Sequence, residues 1–345
     1  MVSVGITAPM DRAELSGQAA SGRLYSIDTA KGIGIFFVVF GHAWRGAFDA
    51  GLIRDAGLFK IIDNMIYAWH MPLFFFLSGL LFLDAIARVT PLAFAVGRAW
   101  RLMWPLALWT WIFFGIRLLA GQSANHPVSA ADFPWIPLPP YDHLWFLWAL
   151  LLVQLGALPL CRLLQPLMTD RALSILLGAS AVALALVLPL LYVPSAYFGA
   201  AVEHAPYFLA GIAVGRLAHL RPTPLVAAVA AGLFALILYG TMQAWATVFQ
   251  SLDLIVLFWV MVAWLDRNAV QPVAALRALR YLGEMSLIIF LAHTIFSAAF
   301  RIGLMSVGVT WLPLHLLVGT VVGLAGPILL YLLARRIGVA KWLGV

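Results

Sequence analysis

The sequence predicts an all-α polytopic membrane protein, a bundle of about ten transmembrane helices with both termini cytoplasmic. Three observations carry that reading. Of 345 residues, 64% are apolar and only 10% charged, with a mean hydropathy of +0.99, whereas soluble domains hold about 25% charged residues. Apolar segments of crossing length recur along the chain, and ~20 helical residues span the ~30 Å of bilayer hydrocarbon. Finally, of the 21 Lys and Arg, alternating crossings place 16 inside and five, Arg45, Arg54, Lys60, Arg117 and Arg301, outside. Such a bias orients a membrane protein with its basic loops in the cytoplasm.

The elements follow in order. Residues 1–25 are small and polar, with Asp11, Arg12, Glu14 and Arg23, and lack the apolar stretch of a secretory signal. They read as a disordered cytoplasmic tail, and 26–345 as one membrane domain. The expected helical segments are roughly 28–48, 64–83, 100–120, 144–165, 172–193, 204–220, 224–243, 248–265, 281–301 and 311–334. The first outer loop, 46–63, mixes Asp49, Arg54, Asp55, Lys60 and Asp63 and suits a short amphipathic helix. Residues 121–143 hold five prolines, Pro127, Pro134, Pro137, Pro139 and Pro140, which rules out a span and leaves a lid or spacer over the outer face. No repeat of 20–50 residues is evident.

Composition also excludes whole classes. One cysteine, Cys161, rules out an internal disulfide, a four-thiolate zinc site and an iron–sulfur cluster. A pI near 9.9 could indicate nucleic acid, but the basic residues stand singly at segment ends, which is membrane topology rather than a binding stripe. Nucleic acid is therefore not an expected partner, and membrane lipid is. No metal is expected, and the sequence leaves room for a homo-oligomer.

Function must then lie with polar groups that lipid excludes, because a charge at mid-bilayer costs ~3 kcal/mol on insertion scales. Lys31 and His42 are three full helical turns apart, on one stripe, with ~16 Å of rise between them. The structural alternative is a snorkelling Lys and a His bonded to a neighbouring helix. Imidazole is nevertheless the side chain that exchanges a proton near neutral pH, which makes His42 the candidate base. Gly34 and Gly41 on the same helix let a neighbour or ligand approach closely. In the second segment His70 precedes Pro72, which breaks the helical ladder, and Ser78 suits a back-bond to a carbonyl.

Arg98 and Arg101, at i and i+3 near the cytoplasmic surface, suit a phosphate-bearing ligand, although topology arginines look the same. Asp142, His143 and Trp145 open the fourth segment as either an aromatic belt or the rim of a sugar site. Glu203 with His204, and Asp253, fall near the outer face, and His293 is a second deeply placed imidazole that serves equally as a structural hydrogen-bonder.

Several runs occur together and in order: Lys31 to His42, His70-Met-Pro-Leu-Phe-Phe-Phe-Leu-Ser-Gly79, Arg98 with Arg101, His143-Leu-Trp-Phe-Leu147, and Leu282-Gly-x-x-Ser286 ending at His293. As a set, over about residues 24–300, they resemble the integral-membrane acyltransferase-3 superfamily, a ten-helix fold. Most of that family has an arginine where this chain has Lys31, and the Lys31-Gly-x-Gly-Ile wording is similar to its fucose 4-O-acetylase-like branch. The resemblance implies an O-acetyltransferase domain over 26–345 in the bacterial inner membrane. It would take acetyl-CoA as cytoplasmic donor and a cell-surface or lipid-linked carbohydrate as acceptor. On that reading His42 is base or acyl carrier. Lys31, Arg98 and Arg101 hold the acyl-CoA, while His70, Asp142, His143, Trp145, Glu203, Asp253 and His293 face the acceptor. The competing class is a secondary transporter or flippase, with Asp253 or His293 coupling protons, but no inverted repeat is visible.

Overall fold

The computed structural model describes residues 12–123, 125–191, 195–217, 222–268 and 273–345, with side chains left out at 12–24, 216–217 and 267–268. The protein is 81% helix, with no strand among the described residues. The helices are α1 (Arg12–Asp49), α2 (Ala56–Tyr67), α3 (His70–Leu80), α4 (Phe82–Ala87), α5 (Pro91–Ala120), α6 (Trp145–Leu164), α7 (Asp170–Val187), α8 (Gly199–Leu217), α9 (Pro224–Gly240), α10 (Val248–Asn268), α11 (Ala274–Glu284), α12 (Ser286–Ser306) and α13 (Leu312–Arg336). Each of the ten expected segments overlaps one of them. Among the described residues, seven stretches are long and apolar enough to cross a membrane; α1, α8 and α9 lie outside that set, α9 being apolar but short. The backbone is helical from Arg12, so α1 runs through part of the expected tail, and residues 1–11 lie outside the described ones.

Local sequence sets the helix starts. Thr90, Thr169 and Thr223 each accept a backbone N–H from the first turn of α5, α7 and α9, with Pro91 and Pro224 in the first turn where no N–H is needed. Asp55 caps α2 by accepting from Gly57 and Leu58, so the first outer loop does hold a short helix. The expected single segment 64–83 is divided. The chain breaks at Trp69, with φ −141° and ψ −26°. Pro72 then sits within the first turn of α3 rather than interrupting a running helix.

Glycines set the closest helix crossings. A Cβ on Gly79 would overlap the Phe208 carbonyl, and one on Gly211 the Phe76 carbonyl, which locks α3 against α8. Likewise Gly32 lies on the Leu279 carbonyl and Gly283 on that of Asp28, seating α11 on the middle of α1. Gly34 and Gly41 face Leu73, Phe74, Ile66 and Tyr67, so a neighbouring helix occupies the space the sequence left open to a ligand. Ser78 is held across the bundle by the Gln154 amide, 2.8 Å away, a partner that lies too far along the chain to read from local sequence.

The core runs through Ile35, Val38 and Val39 of α1, Leu73, Phe75 and Phe76 of α3, Trp109 of α5 and Ile288 to Ala292 of α12. By contrast, α9 and α13 expose Leu225, Val229, Leu236, Leu317, Val321 and Leu329. Those side chains have no protein to cover them, which is the face a helix presents to lipid.

Candidate active site

His42 lies deep in α1, and two further imidazoles pack around it. Its ring centroid is 4.9 Å from that of His293 on α12 and 5.6 Å from that of His143, while His143 and His293 are 5.1 Å apart. Three residues distant in sequence thus form one cluster. Among the described residues no group of His, Cys, Asp or Glu has the geometry to hold a metal ion.

Two of these rings have their tautomers fixed by backbone. His143 Nε2 lies 3.1 Å from the Phe290 carbonyl, and His293 Nδ1 lies 2.9 Å from the carbonyls of Ile289 and Phe290. A carbonyl only accepts, so each of those nitrogens carries the hydrogen. The opposite nitrogen of a neutral ring is then a lone pair. Nε2 of His293 is such a lone pair, buried and without a partner. His70 is arranged the same way, donating from Nδ1 to Ile66 O at 2.7 Å and leaving Nε2 buried and unpartnered.

His143 reaches the cluster through a short turn. Residues Asp142–Leu144 form a 3-10 turn ahead of α6, and Asp142 adopts φ +46°, a left-handed conformation that Asp tolerates better than most residues. Its carboxylate is ion-paired with Arg117 of α5, which also donates to the Tyr141 hydroxyl at 2.8 Å.

The cluster borders a cavity of about 850 Å³, lined on α1 by His42, Arg45, Gly46 and Asp49. Tyr67, His70, Phe113, Arg117, Asp142, His143, Trp145 and Arg301 form further parts of the wall. That volume lies within the range of small-molecule sites, ~300–1,000 Å³. Ser123, Asn125 and His126 also line it, so the proline-rich segment contributes wall rather than serving only as a spacer. The cavity lies at the end of the bundle that the loop charges assign to the outer face.

Sequence reasoning left Arg45, Arg117 and Arg301 as outer topology charges, yet all three line the cavity. Arg45 lies one turn beyond His42 on the same face, and that spacing was the available signal. It binds Asp63 through two hydrogen bonds of 2.6 and 2.8 Å, with its guanidinium 3.2 Å from the Tyr67 ring centre.

Of the sequence candidates, His42, His70, Asp142, His143 and Trp145 line the cavity, and His293 packs directly behind His42. Glu203 is exposed on α8 and Asp253 half-buried on α10, both outside the cavity wall. Lys31, Arg98 and Arg101 are also outside it, toward the opposite end of the bundle. Lys31 pairs with Asp28 at 3.8 Å and lies within the field of Arg101, which also acts on Arg98. The three cations therefore share one electrostatic neighbourhood, and Arg98 rests over the Phe94 ring at 5.1 Å.

A family model described as an acyltransferase domain, that of the acyltransferase-3 family, matches residues 24–332. Neither the curated proteins nor the solved structures compared give a match.

Proposed function

The chain belongs to the integral-membrane acyltransferase-3 family and is an acyltransferase, and from that premise we propose an O-acetyltransferase of the bacterial inner membrane. It takes acetyl-CoA at the cytoplasmic end and esterifies a hydroxyl of a cell-surface or lipid-linked glycan. The observation that carries the reading is the position of His42. It borders an outward cavity while sharing a helix stripe with Lys31, three turns nearer the cation cluster.

Each end suits its substrate. Lys31, Arg98 and Arg101 offer charge for the phosphates of the donor. Trp145, Tyr67 and Phe113 line the cavity beside polar groups, a mixture that suits the apolar and hydroxyl surface of a sugar. In the direct route His42 accepts the hydroxyl proton as the oxygen bonds to the thioester carbonyl carbon. The carbon–sulfur bond breaks, and the thiolate takes the proton from the imidazolium. In the alternative a His42 nitrogen attacks the thioester carbonyl carbon, the carbon–sulfur bond breaks and the thiolate leaves with the proton of the other ring nitrogen. The hydroxyl oxygen then bonds to the acetyl carbon, the nitrogen–acetyl bond breaks, and the hydroxyl proton returns to the ring.

The neighbouring rings support this work. The two rings pack edge to face and leave His293 Nε2 without a partner; a tilt that brings the N–H of His42 onto it leaves the other His42 nitrogen as a lone pair. His293 would then act as a positioning residue, holding the proton acceptor in its useful tautomer. The test is mass spectrometry of surface glycans from cells with and without the protein. Loss of acetyl esters in its absence supports the reading, and an unchanged acetyl content rejects it.

A further inference from the structure

The three arginines of the cavity wall are not equivalent. Arg45 is neutralised by Asp63 and Arg117 by Asp142. Arg301 of α12 has no such partner: among the described residues no carboxylate comes within ion-pair distance of it. Among the described residues its one hydrogen bond runs from Nη2 to the Asn125 amide oxygen at 3.2 Å, and its Nε is buried with nothing to donate to. Asp49, on the same wall, acts on Arg301 only through space and is itself exposed.

The position is built rather than incidental. Arg301 lies against Gly46, where a Cβ would overlap its Nη1, so the missing side chain makes the seat for the guanidinium. Asn125 ties the arrangement together by donating to the Gly46 carbonyl at 3.4 Å while accepting from Arg301. Gly46 follows His42 by one helical turn on the same face, so Arg301 stands ~6 Å of helix rise above the imidazole. A planar, permanently charged fork with unused donors, facing a cavity, is a recognition element for carboxylate or phosphate.

We infer that the acceptor is anionic, carrying a carboxylate or phosphate that Arg301 and Asn125 hold about one sugar-ring width from the hydroxyl presented to His42. This rests on the acyl-transfer reading and adds to it the charge class of the acceptor. A guanidinium that merely anchored the bundle to lipid headgroups would have no need of a seat on Gly46 or of a wall position beside the imidazole cluster.

The test measures binding to the full-length protein in nanodiscs without acyl donor, so that turnover plays no part. Glucuronic acid, glucose 1-phosphate and glucose are titrated against wild type, Arg301→Gln and Arg301→Lys, in discs of phosphatidylcholine and of phosphatidylglycerol. At least one acidic sugar is expected to bind wild type tenfold or more tighter than glucose. Arg301→Gln should erase that preference, bringing the affinity for the acidic sugar down to that for glucose, and Arg301→Lys should retain part of it. Equal binding of charged and neutral sugars, including no binding of either, overturns the inference. So does an Arg301 effect confined to phosphatidylglycerol discs, which would make the residue a headgroup anchor. If Arg301-dependent anion binding holds but labelled acetyl-CoA acetylates no hydroxyl, the anion site stands and the acyl-transfer reading fails instead.

Discussion

The imidazoles of His42 on α1 and His293 on α12 pack edge to face, with ring centroids 4.9 Å apart and planes inclined by 62°. Because His293 spends its Nδ1 hydrogen on the Ile289 and Phe290 carbonyls, it has a lone pair to offer His42. Replacing His293 with Phe keeps a ring but removes the acceptor. The expected outcome is a fall in kcat on the order of 100-fold, the lower end of what positioned proton transfer contributes, with the acetyl-CoA KM little changed. His293→Gln, whose amide oxygen reaches a similar place, should recover part of kcat. Equal rates for the Phe variant and wild type would reduce His293 to packing.

Arg98→Ala and Arg101→Ala should each raise the KM for acetyl-CoA, by ~10-fold for one charge-assisted contact of ~1.5 kcal/mol or more, and leave acceptor KM alone. Steady-state kinetics with each substrate varied separately decides this. An unchanged donor KM in both variants would return these residues to setting topology.

Gly32→Ala places a methyl group against the Leu279 backbone carbonyl, which has no flexible end to swing aside. It should destabilise the protein by roughly 1–3 kcal/mol, as overpacking does, seen as a lowered Tm in detergent. Gly232→Ala on α9 meets nothing within 4 Å and should be neutral or gain up to ~1 kcal/mol from helix propensity. Matching Tm values for the two variants would contradict the α1–α11 crossing.

Asp142 pairs with Arg117 and also holds φ +46°. Asp142→Gly and Asp142→Ala lose the same ion pair, but only Ala resists a left-handed backbone, at a cost of ~1–2 kcal/mol. The Ala variant should therefore melt below the Gly variant. The reverse order would show that the turn carrying His143 does not depend on this conformation.

These residues also show what could be read in advance. Apolar segment length and loop charge identified the membrane bundle, because both follow from transfer of single residues into lipid and need no knowledge of neighbours. The His42 stripe was legible because helical periodicity relates residues within one element. The pairing of His42 with His293 and the seat of Arg301 on Gly46 were not, since each depends on how separate helices cross. That Arg117 and Arg301 line a cavity was not legible for the same reason: a guanidinium at a helix end has one appearance in sequence, whether it meets water or lines a cavity. The break at Trp69 was displaced from the visible Pro72, because a proline is accommodated in the first turn of a new helix.

The most direct measurement uses sealed inside-out membrane vesicles with a glycan acceptor trapped in the lumen and labelled acetyl-CoA supplied outside, at the cytoplasmic face. Wild type should place label on the trapped acceptor. His42→Ala, present at equal abundance, should place none. Labelling by the His42→Ala variant at the wild-type rate, or wild-type transfer only when acetyl-CoA is inside the lumen, would contradict an imidazole in α1 that serves both faces of the membrane.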